Sequence, residues 1–540
     1  MNDPAHGDLA ATAEEVFGWT ELRDEQLVAM RHLLDGRDVL VVMPTGAGKS
    51  AIYQVPAILL DGPTVVVSPL IALQHDQVAG LRASEAPPAA AVNSAQSAET
   101  NEQAWEAFAR DETEYLFLAP EQLANPETVE RLRERKPSLF VVDEAHCVSS
   151  WGHDFRPDYL RLRHVVTSLD HPPVLALTAT ASGPVRDDIA EHLGLRDPAV
   201  LVAGFDRPNL HLTVRQGTDE DDRRRSVLDW VTSHPGPGLL YAATRKDTER
   251  YAADLVERGV RAGAFHAGMK AADRRRVQDG FMNGDLDVVA ATSAFGMGID
   301  KPDVRFVVHA ATPGSLDAYY QEIGRAGRDG DPAEIVLFHR PEDQGLHRFL
   351  TGRRLDEDCV REVAAAVREA PTTVADLARR VDCSRRKVTG LVNLLESAGV
   401  LRTSLNGVRY VHDAPPPDEA LAAAQAQAER QTKRERSRVE VMHGYTGTRG
   451  CRRRFLLGYF GERLDEPCGH CDTCDDGLPP EEGRDSEFPP NSPVRHEQWG
   501  RGTVVQHEDD KLMVLFDEVG YKTLSLEAIR GTSLLTAVSS

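Results

Sequence analysis

The run VVMPTGAGKS at 41–50 sets a glycine loop between a β-type stretch and a helix start. Thr45, Gly46, Ala47 and Gly48 allow backbone N–H groups to close around phosphates, Lys49 reaches the terminal phosphates, and Ser50 suits a Mg²⁺ ion. The strict form of this loop opens on Gly where this chain has Met43, so the reading rests on the Gly-Lys-Ser end and its setting. A second group, Asp143-Glu144-Ala145-His146, follows the apolar run LFVV. Asp143 suits the Mg²⁺ shell, and Glu144 suits orienting or deprotonating an attacking water. A third lies in YYQEIGRAGRDG at 319–330, where Arg325 and Arg328 stand three apart and are expected to face one way on a helix. Such a pair neutralises charge developing on a phosphate, and Gln321, one turn earlier, is placed to reach the γ-phosphate or its water. Singly these are a glycine turn, a solvated helix start and a solvated arginine face. Together they point to hydrolysis of a nucleoside triphosphate.

Two further groups carry different chemistry. Cys451, Cys468, Cys471 and Cys474 follow the pattern C-x₁₆-C-x₂-C-x₂-C, which suits a closed tetrahedral zinc site, with His470 as a competing ligand. The other three cysteines, Cys147, Cys359 and Cys383, have no metal spacing and read as ordinary thiols. In CVSSWGHDFRPDY at 147–159, Trp151 and Phe155 are expected to stack on unpaired bases, with His153 and Arg156 adding polar and cationic contacts. Ser149, Gly152, His153 and Asp154 around them argue against a dry core for these aromatics. The position directly after Asp143–His146 lets occupancy by a strand shift the hydrolysis residues.

The elements that position these groups alternate short apolar runs with helical patterns from about residue 36 to 340. The runs DVLVVMP, TVVVSPL, EYLFLAP, LFVVDEA, PVLALTAT, GLLYAAT, DVVAATS, VRFVVHA and EIVLF are continuous rather than alternating, as in parallel strands buried on both faces. The charged run QGTDEDDRRR at 216–225 reads as a linker between two series. The expected fold is α/β, with two tandem parallel-sheet lobes (1–215 and 216–352) and a cleft between them. Residues 353–413 read as a winged helix: TTVADLARRV, a turn at Asp382-Cys383, the helix SRRKVTGLVNLLESAG, and a hairpin turn at Asn406-Gly407. A helical cysteine-bearing module is expected over 414–476, an acidic Pro-rich linker over 477–490, and a small β-barrel over 491–540, with turns at Gly500–Gly502 and Glu508–Asp510.

Composition sets the class. The 540 residues are 41% apolar and 27% charged, the mix of a globular protein of several domains. No run approaches the roughly 18 apolar residues of a membrane span, and the amino terminus lacks a basic start and apolar stretch. A reducing, cytoplasmic setting is therefore expected, nucleoid-associated in a bacterium. The net charge of −23 conceals local contrasts. Residues 379–409 hold seven basic against two acidic residues, 430–454 nine against two, and 475–540 six against thirteen.

FGWTELRDEQ, VVSPLIALQHDQV, LALTATA, FDRPNL, AFHAG and ATSAFGMGIDKPDVRFVVH follow in order along the chain, with CVSSWGHDFRPDY among them. On these runs, and above all the last, residues 17–345 resemble the RecQ family of superfamily-two DNA helicases, which implies that the two lobes are RecA-like. The resemblance also implies that Arg23 and Gln26 position an adenine, that ATP and Mg²⁺ are bound, and that the chain moves 3′→5′ on single-stranded DNA to unwind forked or branched duplexes in recombination and repair. CRRRFLLGYFGE and CGHCDTC are similar to the family's zinc-binding module, implying Zn²⁺. The family's winged helix ordinarily follows that module, whereas here the pattern precedes it. Arg385, Arg386 and Lys387, after Ser384, open its presumed recognition helix and suit phosphate or groove contacts, the other reading being a packing or protein-binding domain. HEQWGRGTVV and LFDEVGYKTL resemble the Tudor-like barrel at the end of the UvrD/PcrA helicases, which implies a protein partner such as RNA polymerase for 491–540. An RNA helicase, or a translocating adaptor that couples repair to transcription, are the competing readings.

Overall fold

A computed structural model describes residues 4–149, 155–217, 219–296, 301–340, 342, 355–404, 407–477, 487–489, 492–508, 511–517 and 519–538. The chain divides into two compact units, one of residues 1–43, 47–203 and 353–432, the other of 44–46, 204–352 and 433–540. No helix among the described residues is long and apolar enough to cross a membrane.

In the first unit, β1 (Val39–Val42), β2 (Thr64–Val67), β3 (Ala89–Val92), β4 (Tyr115–Leu118), β5 (Leu139–Val142), β6 (Val174–Thr178) and β7 (Ala199–Val202) form a parallel sheet. The order is β3-β4-β2-β5-β6-β1-β7. Val, Leu and Phe fill the central strands and are sealed on both faces, which is why those runs do not alternate. β6 lies between β1 and β5, with Val42 beside Thr178 and Val142 beside Ala176. The three strands thus end at the same carboxyl edge, the edge where ligands of parallel sheets sit.

The second unit repeats the design with β8 (Leu210–Gln216), β9 (Gly238–Tyr241), β10 (Ala262–Phe265), β11 (Val288–Ala291), β12 (Phe306–His309) and β13 (Ala333–His339), in the parallel order β10-β11-β9-β12-β13-β8. Leu210 pairs with Ala333 and Gln216 with His339, so this sheet begins before the expected division at residue 215. The charged run 216–225 is not a linker. Its Asp219 caps, and Glu220–Asp222 open, the helix Glu220–Ser233, where acids complement the dipole.

The winged-helix pattern forms as expected. Helices Glu357–Glu369, Val374–Arg380 and Arg385–Ser397 are capped by Asp356, Thr373 and Ser384, and lead to the hairpin β14 (Leu401–Ser404)–β15 (Gly407–Tyr410). Val363, Leu377, Val388, Val392, Leu395 and Val408 fill its core. Cys359 and Cys383 are joined in a disulfide, correcting their reading as ordinary thiols: the first turn of the first helix and the turn before the third meet there. Asn406 lies outside the described residues.

Next come the helices Pro417–Gly447 and Arg452–Tyr459 and a short turn of helix at Asp472–Asp475. The last of these docks on the β8 edge, where Cys471 bridges Leu212 and the Val214 N–H donates to Asp472 Oδ2 at 2.8 Å. The end of the chain is an antiparallel sheet of β16 (Pro493–His496), β17 (Gly500–Glu508), β18 (Lys511–Phe516), β19 (Gly520–Ser525) and β20 (Leu535–Ala537), ordered β19-β18-β17-β16-β20. Gly500 and Gly502 begin β17 rather than forming the turn, which falls just before them.

Gly238 tests the packing of the second sheet. A Cβ there would stand 2.0 Å from Phe306 Cε2 on the neighbouring strand, inside a core with no room to yield. Gly238→Ala is expected to lose about 1–3 kcal/mol by overpacking, read as a lower midpoint in urea denaturation.

Candidate functional site

The loop after β1 turns through Gly46 and Gly48, with φ of +81° and +75°, and enters the helix Ala51–Leu59. These positive angles favour glycine and turn backbone N–H groups inward. Lys49 folds back to donate from Nζ to the Met43 carbonyl at 3.1 Å. Gln26 is buried, and its Nε2 donates to the carbonyls of Ala47 (3.2 Å) and Gly48 (2.9 Å), while its Oε1 accepts from the Arg23 N–H at 2.8 Å. The element expected to hold adenine is thus tied to the main chain of the phosphate loop. Sequence reasoning did not give that contact, because only the folded loop brings residues 21 and 22 positions away onto Gln26.

Asp143 follows β5 on the same edge. Its Oδ1 accepts from the Glu144 N–H at 2.9 Å and its Oδ2 from Ser68 Oγ at 3.3 Å. Burial pushes its carboxyl up to about 7, the Glu144 charge adds to the rise, and Lys49 opposes it. Glu144 sits in left-handed backbone at φ +48°, unusual for a residue with a Cβ. Its Oε2 lies 3.3 Å from His146 Nδ1, and that nitrogen lies 2.9 Å from Thr178 Oγ1 at the end of β6. Thr178 Oγ1 in turn donates to the Thr180 carbonyl. A polar line therefore runs from the acidic pair to the loop after β6. The glycine loop supplies anion-binding geometry and Asp143 a half-buried carboxylate beside it, a donor set that fits a magnesium-bound triphosphate.

The aromatic-rich segment is partly visible. Trp151 and His153 lie outside the described residues. Ser149 is fully buried and donates to Asp188 Oδ2 at 2.7 Å, so it fixes the segment against the helix Gly183–Leu193 instead of facing DNA. Arg156 donates to the Pro69 carbonyl at 3.0 Å, and Phe155 is half-buried. Tyr159, which the sequence reading passed over, is fully buried and donates to the Asp143 carbonyl at 2.9 Å. Its place at the end of the same motif was the available signal.

In the second unit the helix Leu316–Ile323 is capped by Ser315 and carries Gln321 in its last turn. Gly324 ends the helix, and Gly327 follows at φ +55°, so Arg325 and Arg328 lie on the turns beyond it and not on one helical face as expected. Arg207, of FDRPNL, holds these turns by donating to the carbonyls of Ala326 (2.8 Å) and Gly327 (2.9 Å). Arg325 is buried, and a Cβ at Gly296 would stand 2.6 Å from its Nη2, which accounts for glycine there.

The four cysteine sulfurs lie within 4.8 Å of one another, Cys468 and Cys474 at 3.8 Å and Cys471 and Cys474 at 3.4 Å. Zinc–sulfur bonds of about 2.3 Å in a tetrahedron place sulfurs roughly 3.8 Å apart, so the set fits zinc. His470 is not in the cluster, and its ring meets His211 edge-on at 4.8 Å. In the winged helix, Ser384 caps the helix bearing Arg385, Arg386 and Lys387, and Lys387 Nζ pairs with Asp356 at 2.5 Å.

Cys471 links the sulfur cluster to β8. Cys471→Ser is expected to lower zinc content from one ion per chain to none and to expose the β8 edge, read by metal analysis and by hydrogen exchange at 210–216.

Residues 23–189 match the DEAD/DEAH box helicase family, 223–330 the helicase conserved C-terminal domain, and 418–475 the RecQ zinc-binding family. The chain is 35% identical over 470 residues to the probable ATP-dependent DNA helicase RecS of Bacillus subtilis, covering 86% of this chain and 91% of that one. It is 35% identical over 463 residues to the ATP-dependent DNA helicase RecQ of Haemophilus influenzae, covering 85% of this chain but 62% of the relative. The DUF1998 helicase MrfA, solved bound to DNA, shares the fold at a TM-score of 0.53 and 18% identity, over 77% of this chain and 61% of that one. With helicase domains, zinc-binding module and relatives in agreement, the chain belongs to the RecQ family of ATP-dependent DNA helicases.

Proposed function

We propose that this chain hydrolyses ATP to move 3′→5′ along single-stranded DNA and so unwinds forked or branched duplexes in recombination and repair, in the cytoplasm. The observation that carries the reading is the shared edge of β1, β6 and β5, where a glycine loop, a threonine loop and a half-buried acidic pair stand side by side. Lys49 and the loop N–H groups bind the phosphates, Ser50 and Asp143 hold magnesium, and Arg23 and Gln26 position the base. Magnesium, when bound, supplies positive charge to the phosphate oxygens. Glu144, oriented by His146, takes the proton of the attacking water. Gln321 contacts the γ-phosphate or that water, and Arg325 and Arg328 neutralise the charge that develops.

DNA binding is assigned to Trp151, His153, Phe155 and Arg156, with Ser149 as the residue that anchors their segment. Arg385, Arg386 and Lys387 add phosphate contacts from the winged helix. The thirteen acidic against six basic residues of 475–540 support a protein, such as RNA polymerase, as partner of 491–540.

Lys49→Ala is expected to cut ATP turnover by about two orders of magnitude while DNA binding, read by fluorescence anisotropy, is little changed. Turnover at the wild-type rate would remove the assignment. Trp151→Ala should hydrolyse ATP at the basal rate but no longer respond to added single-stranded DNA. Unwinding of a 3′-tailed but not a 5′-tailed duplex checks the polarity.

A further inference from the structure

The helix Leu316–Ile323 delivers Gln321 and then Arg325 and Arg328, so its placement sets theirs. Much of what holds it comes from outside the second sheet. Asp317, in its first turn, is 2% exposed, and its Oδ2 accepts the Tyr459 hydroxyl at 2.5 Å. A carboxylate this deep requires such a donor, and Tyr459 belongs to the zinc-binding module. Tyr319 accepts the Tyr445 hydroxyl at 3.2 Å, and Tyr320 packs on Phe460 at 4.9 Å between ring centroids.

Tyr459 does not end the series. Its ring stacks on Tyr521 of β19, with centroids 5.3 Å apart and planes 29° apart. Tyr521 is itself 3% exposed. The terminal sheet also lies against the module at two glycines: a Cβ at Gly458 would stand in ordinary contact, 3.6 Å from the Val505 carbonyl oxygen, and one at Gly444 3.3 Å from Met513 Cε. Lys522 Nζ and Glu440 Oε2 face each other at 4.0 Å on the rim. A tethered appendage would leave this tyrosine in water. Here it closes one side of the residue that holds Asp317.

We propose that the C-terminal sheet braces the helix Leu316–Ile323, with Tyr521 and Tyr459 as positioning residues that act through Asp317 on the approach of Gln321, Arg325 and Arg328 to the phosphates. This rests on the ATP-hydrolysing reading above and extends it to residues outside the helicase lobes.

The test uses the full-length chain with DNA-stimulated ATP hydrolysis, zinc content and melting midpoint measured side by side. A wild-type chain that does not hydrolyse ATP would sink the underlying reading, a result separate from any comparison of variants. Given wild-type activity, Tyr459→Phe and Tyr521→Ala are expected to lower kcat about tenfold with KM for ATP and zinc content unchanged, whereas Tyr521→Phe, which keeps the stack, stays near wild type. Wild-type kcat in both Tyr459→Phe and Tyr521→Ala overturns the proposal. So does a loss in which kcat and KM change together and follow a melting midpoint lowered to the assay temperature, since that is a purely structural role. Should Tyr521→Ala fail to fold, Tyr459→Phe, which removes one oxygen atom, decides alone.

Discussion

A half-buried carboxylate at the end of β5 constrains everything around it. Asp143 gains two hydrogen bonds, from the Ser68 hydroxyl and the Glu144 N–H, yet burial and the neighbouring Glu144 charge still raise its carboxyl to about 7. A divalent cation reverses that balance by favouring the charged form. The surroundings then have to keep the carboxylate aimed while it lacks a full set of partners. Tyr159 grips its carbonyl, Ser149 and Arg156 pin the segment leading to Tyr159, and the level ends of β5, β6 and β1 hold the phosphate loop beside it. The same segment carries Trp151 in sequence, so the strand contact proposed above would need no long pathway to reach Asp143.

The central strands were legible because burial on both faces demands unbroken Val, Leu and Ile, and those runs became β1, β2, β4, β5, β6, β9, β11, β12 and β13. The strands that escaped notice are β3, β7, β8 and β10, which stand at the edges of the two sheets. An edge strand needs no such run: β3 is Ala-Ala-Ala-Val, β10 is Ala-Gly-Ala-Phe, and β7 alternates half-buried and exposed residues. Missing β8 also moved the expected lobe boundary, since a charged stretch read as a linker was a capped helix start. The phosphate loop, the acidic pair and the four cysteines were legible for another reason. Their chemistry is carried by residues near one another in sequence, so spacing alone states it.

Arginine shows where sequence counts stop being informative. The run at 452–454 contributed to a strongly basic segment, but Arg452 and Arg453 are buried. Arg452 pairs with Asp472 at 2.5 Å and donates to the Tyr445 carbonyl, and Arg453 donates to the carbonyls of Pro208 and Leu210. Arg207 does the same for the turns that carry Arg325 and Arg328. A guanidinium has five donors in a planar fork, which suits it to tying loops of main chain together as well as to phosphate. Composition cannot separate these uses. The helical spacing expected of Arg325 and Arg328 failed for a related reason: Gly324 and Gly327 flank Arg325, and they end the helix rather than thin it.

The winged helix offers an internal comparison in the electrostatics of helix starts. Three of its helices begin with side-chain caps, and two of them follow the electrostatic preference of a helix start, with Glu357 and Asp358 in one first turn and Asp376 in another. The third begins Arg385-Arg386-Lys387 with no acid in its first turn. Each positive charge there opposes the dipole at a cost of about 0.3–1 kcal/mol. Asp356 offsets Lys387, and the Ser384 cap supplies hydrogen bonding but no charge. The phosphate contacts proposed for this helix start would offset what remains. A whole-chain charge of −23 is compatible with that, because acids concentrated in 475–540 dominate the sum while the helix start keeps its own local field.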